Sequence, residues 1–155
     1  MSSDEACHEQ VHQDYSALNL ALDMLSVLEQ APDVHALFPV LFRARYAFSQ
    51  GYEPRFGHCS HCGCARHEHE RHRFMVREGT MLCSDCLARL GTSGPFVDVA
   101  RETLDALLFV QDTSPLQWPQ ICLSPSARRE FSRAVDGFIQ YHIGLTWENG
   151  RFRRL

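Results

Sequence analysis

The stretch HCSHCGCARHEHERHRFMVREGTMLCSDC, residues 58–86, holds five cysteines and five histidines, and its reading decides the rest of the chain. Cys59 and Cys62 form one C-x-x-C pair and Cys83 and Cys86 a second, with twenty residues between the pairs. Two-residue spacing lets one tight turn aim two thiolates and their backbone amides at a single ion. Two such turns complete a tetrahedral sulfur site of the kind zinc favours. Gly63, just after the second thiolate, suits the positive φ that such turns often need. Between the pairs, RFMV and TMLC flank REG, the pattern of a short β-hairpin that brings the second pair round to face the first. The spacing therefore predicts one zinc ion on Cys59, Cys62, Cys83 and Cys86. Protein sulfur fills all four positions and leaves none for water or substrate, so the ion is structural. A redox reading of either pair is weaker, because neither opens a helix after a strand in a βαβ context.

The other metal-capable side chains read differently. Cys64 could replace Cys62 as a ligand, but C-x-x-C geometry favours Cys62 and leaves Cys64 a free thiol. Cys7 and Cys122 are isolated, a loose-end cysteine and a small buried apolar residue respectively. His58, His61, His67, His69 and His72 are mixed with Arg66, Glu68, Glu70, Arg71 and Arg73. A solvated loop is the simplest reading of these histidines; support of the zinc from outside its ligand set and an independent metal site are the alternatives. His67 and His69 stand two apart, unlike the i, i+4 histidines with an intervening glutamate of helical zinc hydrolases.

Outward from this stretch, apolar residues recur at helical spacing. Val11, Tyr15, Leu18, Leu22, Leu25 and Leu28 form one stripe, and Val34, Leu37, Phe38, Leu41 and Phe48 a second, which Pro39 must kink or begin afresh. PFVDVARETLDALLFVQ reads as a third helix with Val97, Ala100, Leu104, Leu107 and Leu108 on one side. The last helix has Ser124 as cap, Pro125 at its first position and Gly144 as its stop, with Phe131, Ala134, Val135, Phe138, Ile139 and His142 inward. Residues 53–90 are poor in aliphatic side chains and read as an insert with little core of its own. The expected fold is mainly α: a single helical domain over 1–155, a bundle with an inserted four-cysteine zinc knuckle and β-hairpin module at 53–90.

Composition narrows the function. A chain of 155 residues suits one domain. A net charge of −4 argues against a mainly electrostatic nucleic-acid binder. No stretch approaches the ~18–20 apolar residues that cross a bilayer, and MSSDEACHEQ lacks the parts of a signal peptide. A cytoplasmic location is expected, where seven cysteines point to metal or free thiols before disulfides. No nucleophile motif, phosphate loop or open metal triad is present, so no enzyme is expected. Charge is uneven: residues 1–30 carry six acids and no arginine, whereas 128–155 carry six arginines against three acids.

The order of features resembles the C-terminal, all-helical region of the RecO-type DNA repair and recombination mediators. The resemblance rests on Gly51–Tyr52, the C-x-x-C-G from Cys59 to Gly63, the strand and second pair from Gly79 to Cys86, and the Tyr141-His-Ile-Gly144 close of the last helix. It covers roughly residues 12–147. Complete members begin with an oligonucleotide-binding barrel, which this chain is expected to lack. The resemblance implies a non-enzymatic adaptor that works through a RecR-type partner and the acidic tail of single-stranded-DNA-binding protein, with only weak direct DNA contact. An acidic peptide ending in an aromatic needs arginines beside an apolar pocket, and SARREFSR supplies Arg128, Arg129 and Arg133. The alternative is a stand-alone zinc-module regulator that binds DNA or RNA directly, using Arg66, Arg71 and Arg73 or the terminal Arg151, Arg153 and Arg154.

Overall fold

Pro39 starts a helix and does not kink one. In the computed structural model, which describes residues 18–27, 36–50 and 53–154, helix α2 runs Phe38–Phe48 with the proline in its first turn. There its missing N–H has no intrahelical partner to lose. Ahead of it, α1 covers 18–27, but its inward residues are Leu20 and Val27, with Met24 packed against the core. Leu18, Leu22 and Leu25 of the expected stripe are 54%, 51% and 55% exposed. Val11, Tyr15, Leu28 and Val34 lie outside the described residues.

The last long helix, α5, spans Pro125–Ile143. The Ser124 hydroxyl accepts the Ala127 amide at 3.2 Å, and Gly144 ends the helix at φ +74°. Phe131, Ala134, Val135, Phe138 and Ile139 are all buried, as the periodicity requires.

Two segments overturn the expected reading of a mainly helical bundle whose strands are confined to one inserted hairpin. Phe96–Ala100 is a strand, β3, and helix begins only at Arg101, as α4 (Arg101–Asp112). Its FVDV run alternates, with Val99 fully buried between exposed Asp98 and half-buried Ala100. β-Branched residues at period two fit a pleated surface better than the first turn of a helix. With β1 (Arg71–Met75) and β2 (Thr80–Cys83), this strand makes an antiparallel sheet ordered β2-β1-β3. Phe74 stands opposite Met81 on one side and Val97 on the other. A second hairpin follows α5: β4 (Leu145–Glu148) pairs antiparallel with β5 (Arg151–Arg154). Asn149 and Gly150 both have positive φ, 51° and 75°, the geometry that two-residue hairpin turns favour.

The chain is therefore not a helical bundle carrying an inserted module. Its sheet is completed by a strand from outside 53–90, and its inner face is part of the main core. Phe56, Phe74, Val76, Met81 and Val99 belong to the same buried cluster as Phe38, Leu41, Phe48, Trp118 and Phe131. Ring centroids lie 5.4 Å apart for Phe48–Phe56, 5.3 Å for Phe56–Phe74 and 5.4 Å for Phe48–Phe138. A continuous aromatic path thus joins α2, the loop before β1, the sheet and α5.

Glu130 on α5 ties the helix to the sheet by polar contacts. It accepts from the Thr103 hydroxyl at 2.6 Å, the Ala100 amide at 2.8 Å and the Arg71 guanidinium at 2.7 Å. The Arg45 side chain donates to the carbonyls of Val110 and Thr113 at 2.8 and 2.6 Å. That satisfies oxygens left open at the end of α4.

Candidate metal centre

Backbone geometry builds the first cysteine turn. The Cys59 amide donates to the Cys64 carbonyl at 2.9 Å and the Gly63 amide to the Cys59 carbonyl at 3.0 Å. Gly63 holds φ +78°. The turn is anchored on β2, where the Ser60 amide donates to the Met81 carbonyl at 2.8 Å. The second turn is the end of β2 itself. Cys83 caps the short helix α3 (Ser84–Leu90), its sulfur accepting the Cys86 amide at 3.5 Å. One further bond joins the turns, from the Cys83 amide to the Cys59 sulfur at 3.4 Å.

The Sγ atoms of Cys59, Cys62, Cys83 and Cys86 all lie within 4.8 Å of one another, and Cys62 and Cys83 are 3.8 Å apart. Zinc–sulfur bonds of ~2.3 Å in a tetrahedron place sulfur atoms ~3.8 Å apart. The four cysteines could thus hold a metal ion. Cys59, Cys83 and Cys86 are buried and Cys62 faces solvent. Burial raises the Cys59 pKa, but the amides of Cys62, Cys83 and His61 outweigh it and bring the thiol down to about 6. The Cys64 amide, foremost, lowers Cys62. Cys86 is pushed up to about 12, by burial first and then by the neighbouring Cys83 and Cys62 sulfurs. Some sulfurs are thus drawn toward thiolate while their crowding resists it, a conflict that a divalent cation removes. The Arg89 guanidinium lies 3.7 Å from the Cys86 sulfur.

The histidines divide. His58, His61 and His67 are exposed, as a solvated loop requires. His72 is 2% exposed and stands in β1 opposite Cys83. Its Nε2 lies 2.8 Å from the Arg66 carbonyl and 3.0 Å from the His69 carbonyl, so it donates to both. Burial holds its pKa below the usual histidine value, against those two carbonyls. The signal for this was the two-residue step from His72 to Phe74, both buried on one face of β1. Cys122 is exposed, not buried as expected; Cys7 lies outside the described residues.

Arg128, Arg129 and Arg133 stand exposed on α5. Arg151, Arg153 and Arg154 are exposed on β5, with Arg153 paired to Glu148 at 3.3 Å. The sequence also gave no hint of a cavity of about 410 Å³ lined by Glu53, Arg77, Glu78, Phe138, Tyr141 and His142. There the His142 Nε2 pairs with the Val76 carbonyl at 2.9 Å. Among the described residues no helix is long and apolar enough to cross a membrane.

Comparison with known proteins supplies the remaining evidence. The family model described as "Recombination protein O C terminal" matches residues 8–151. A DNA repair protein RecO from Nitratidesulfovibrio vulgaris (strain Hildenborough) is 57% identical over 143 residues, covering 90% of this chain and 56% of that protein. The RecO of Oleidesulfovibrio alaskensis is 48% identical over 139 residues, covering 90% of this chain and 55% of the relative. That of Solidesulfovibrio magneticus is 41% identical over 138 residues, with coverages of 89% and 55%. The chain thus spans a little over half the length of these relatives. No solved structure matches it.

Proposed function

Because the chain belongs to the RecO C-terminal family, we propose that it is a non-enzymatic docking region of a mediator in DNA recombination and repair. One structural zinc on Cys59, Cys62, Cys83 and Cys86 fixes the sheet edge. The helices around the sheet carry the protein contacts, with a RecR-type partner and with the acidic tail of single-stranded-DNA-binding protein. The observation that carries the docking role is the trio Arg128, Arg129 and Arg133: three exposed guanidinium groups on one helix, with no hydrogen bond or ion pair to another described residue. Arg129 and Arg133 are one turn apart and share a face. Such a face attracts an acidic peptide and steers its encounter.

Fluorescence anisotropy with an acidic peptide ending in phenylalanine tests this. Wild-type protein binds, and Arg128→Glu and Arg133→Glu each weaken binding, the double variant most. Absence of binding, or binding indifferent to both changes, contradicts the reading. The C-terminal hairpin supports a second reading, direct binding to DNA or RNA through Arg151, Arg153 and Arg154. The Glu148 partner of Arg153 offsets part of that charge, and so few phosphate contacts give weak, salt-sensitive binding. A mobility shift that survives moderate salt would favour it.

A further inference from the structure

Five thiols, not four, converge at the sheet edge. Cys64, His69 and Cys83 form a second group whose ligand atoms lie within 4.8 Å of one another, and Cys83 belongs to both groups. We propose that the chain binds a second, weaker soft metal ion on Cys64 and His69, with Cys83 as a thiolate bridge to the first. The inference rests on the zinc reading above, because the bridge needs an ion on the four-cysteine side.

The site is built, not assembled from mobile tips. The His69 ring is 20% exposed, and its Nδ1 pairs with the Ser84 hydroxyl at 3.1 Å. Its backbone carbonyl is held by His72 at 3.0 Å, and the two rings meet edge-on with centroids 6.1 Å apart. His72 is buried, so the turn carrying His69 is fastened to β1 from beneath. Such outer contacts fix the orientation of a metal-binding imidazole. Asp85 lies 3.8 Å from His69 Nε2. Cys64 is placed by its own carbonyl, which accepts the Cys59 amide inside the first cysteine turn.

Charge favours the second ion. Four thiolates around one divalent ion leave two net negative charges at a partly buried edge. A second divalent ion, with one more thiolate and a neutral imidazole, leaves one. Two sulfurs and an imidazole nitrogen select zinc-like ions over magnesium or calcium. Only three protein ligands reach this ion, so water takes the fourth position and the ion exchanges more readily than its closed neighbour.

Cobalt(II) and zinc titrations of the reduced full chain test this, using sulfur-to-cobalt charge-transfer absorption and metal content after gel filtration. Wild type takes up one equivalent tightly and a second more weakly, each with thiolate absorption. Cys64→Ser and His69→Ala each lose the second equivalent and keep the first; unchanged circular dichroism and an unchanged first equivalent exclude misfolding as the cause. If wild type stops at one equivalent, indifferent to Cys64→Ser, the second site fails while the zinc reading stands. If it binds none tightly, both fail. If both variants still bind two, the second ion sits elsewhere and the proposal is overturned.

Discussion

The carbon core and the sulfur cluster of this chain are neighbours held by different physics. The core spans helices and sheet, with Phe74, Phe131, Val99 and Leu107 fully buried at 0% exposure, and its stability comes from area removed from water. The sulfur cluster is small. Among the described residues, the partly buried apolar side chains packed against buried Cys59, Cys83 and Cys86 are Cys64 and Leu82, little apolar surface to order two turns and a short helix. In the zinc reading proposed above, an ion supplies the difference, as folding energy that the core does without. The two regions meet at β2, where Met81 enters the core and Cys83, two residues on and on the same face, enters the cluster. One strand thus serves both, and perturbing either region sharpens the contrast.

Removal of a ligand has the largest expected effect. Structural zinc supplies on the order of 10 kcal/mol to isolated zinc peptides. Cys86→Ser is therefore expected to disorder residues 58–90 and to cut the thermal midpoint sharply, with hydrogen exchange showing loss at α3 first. If protection across 58–90 is unchanged, the cluster needs no ion. Phe138→Ala comes next. Phe138 is 1% exposed and meets Phe48, Phe74 and His142. Its truncation is expected to cost about 3–5 kcal/mol in urea unfolding while leaving tight metal binding intact. Loss of both together would mean that the two regions do not stand on separate physics.

The Glu130 hub gives a smaller, pH-dependent effect. Burial raises its pKa, but the Thr103 hydroxyl, the Ala100 amide and Arg71 outweigh burial and hold the carboxyl below its ordinary value. Its contribution is complete above the unfolded value of about 4.3 and is lost as pH falls through the lower folded value. Glu130→Gln is expected to cost about 1–3 kcal/mol at neutral pH and to flatten the acid limb of the stability curve. An acid limb as steep in the variant as in wild type would assign that slope elsewhere.

Much of the site was legible in the sequence, because paired C-x-x-C spacing, the Gly63 turn and the hairpin are local. Pro39 left a kink and a fresh start equally open, whereas both caps of α5 were legible for the same reason. The sheet was not. Phe96–Ala100 lies directly before a strong helical stripe, and the shared apolar residues Val97 and Ala100 extended that stripe backward by one turn. Only its pairing with β1, a contact across more than twenty residues, decides the matter. The β4–β5 hairpin has a local signal in Asn149–Gly150, but the arginines of RFRRL point equally to an electrostatic arm. In sequence His72 reads with the loop histidines, because its ring is held by the Arg66 and His69 carbonyls, contacts that exist only once that segment folds back over β1.

The most direct test of the central claim is the zinc content of protein purified without added metal, beside Cys59→Ser and Cys86→Ser. A structural role for zinc requires its retention by wild type through gel filtration and its loss from both variants, together with the protection of residues 58–90. Wild type that carries no metal yet keeps that protection would contradict it.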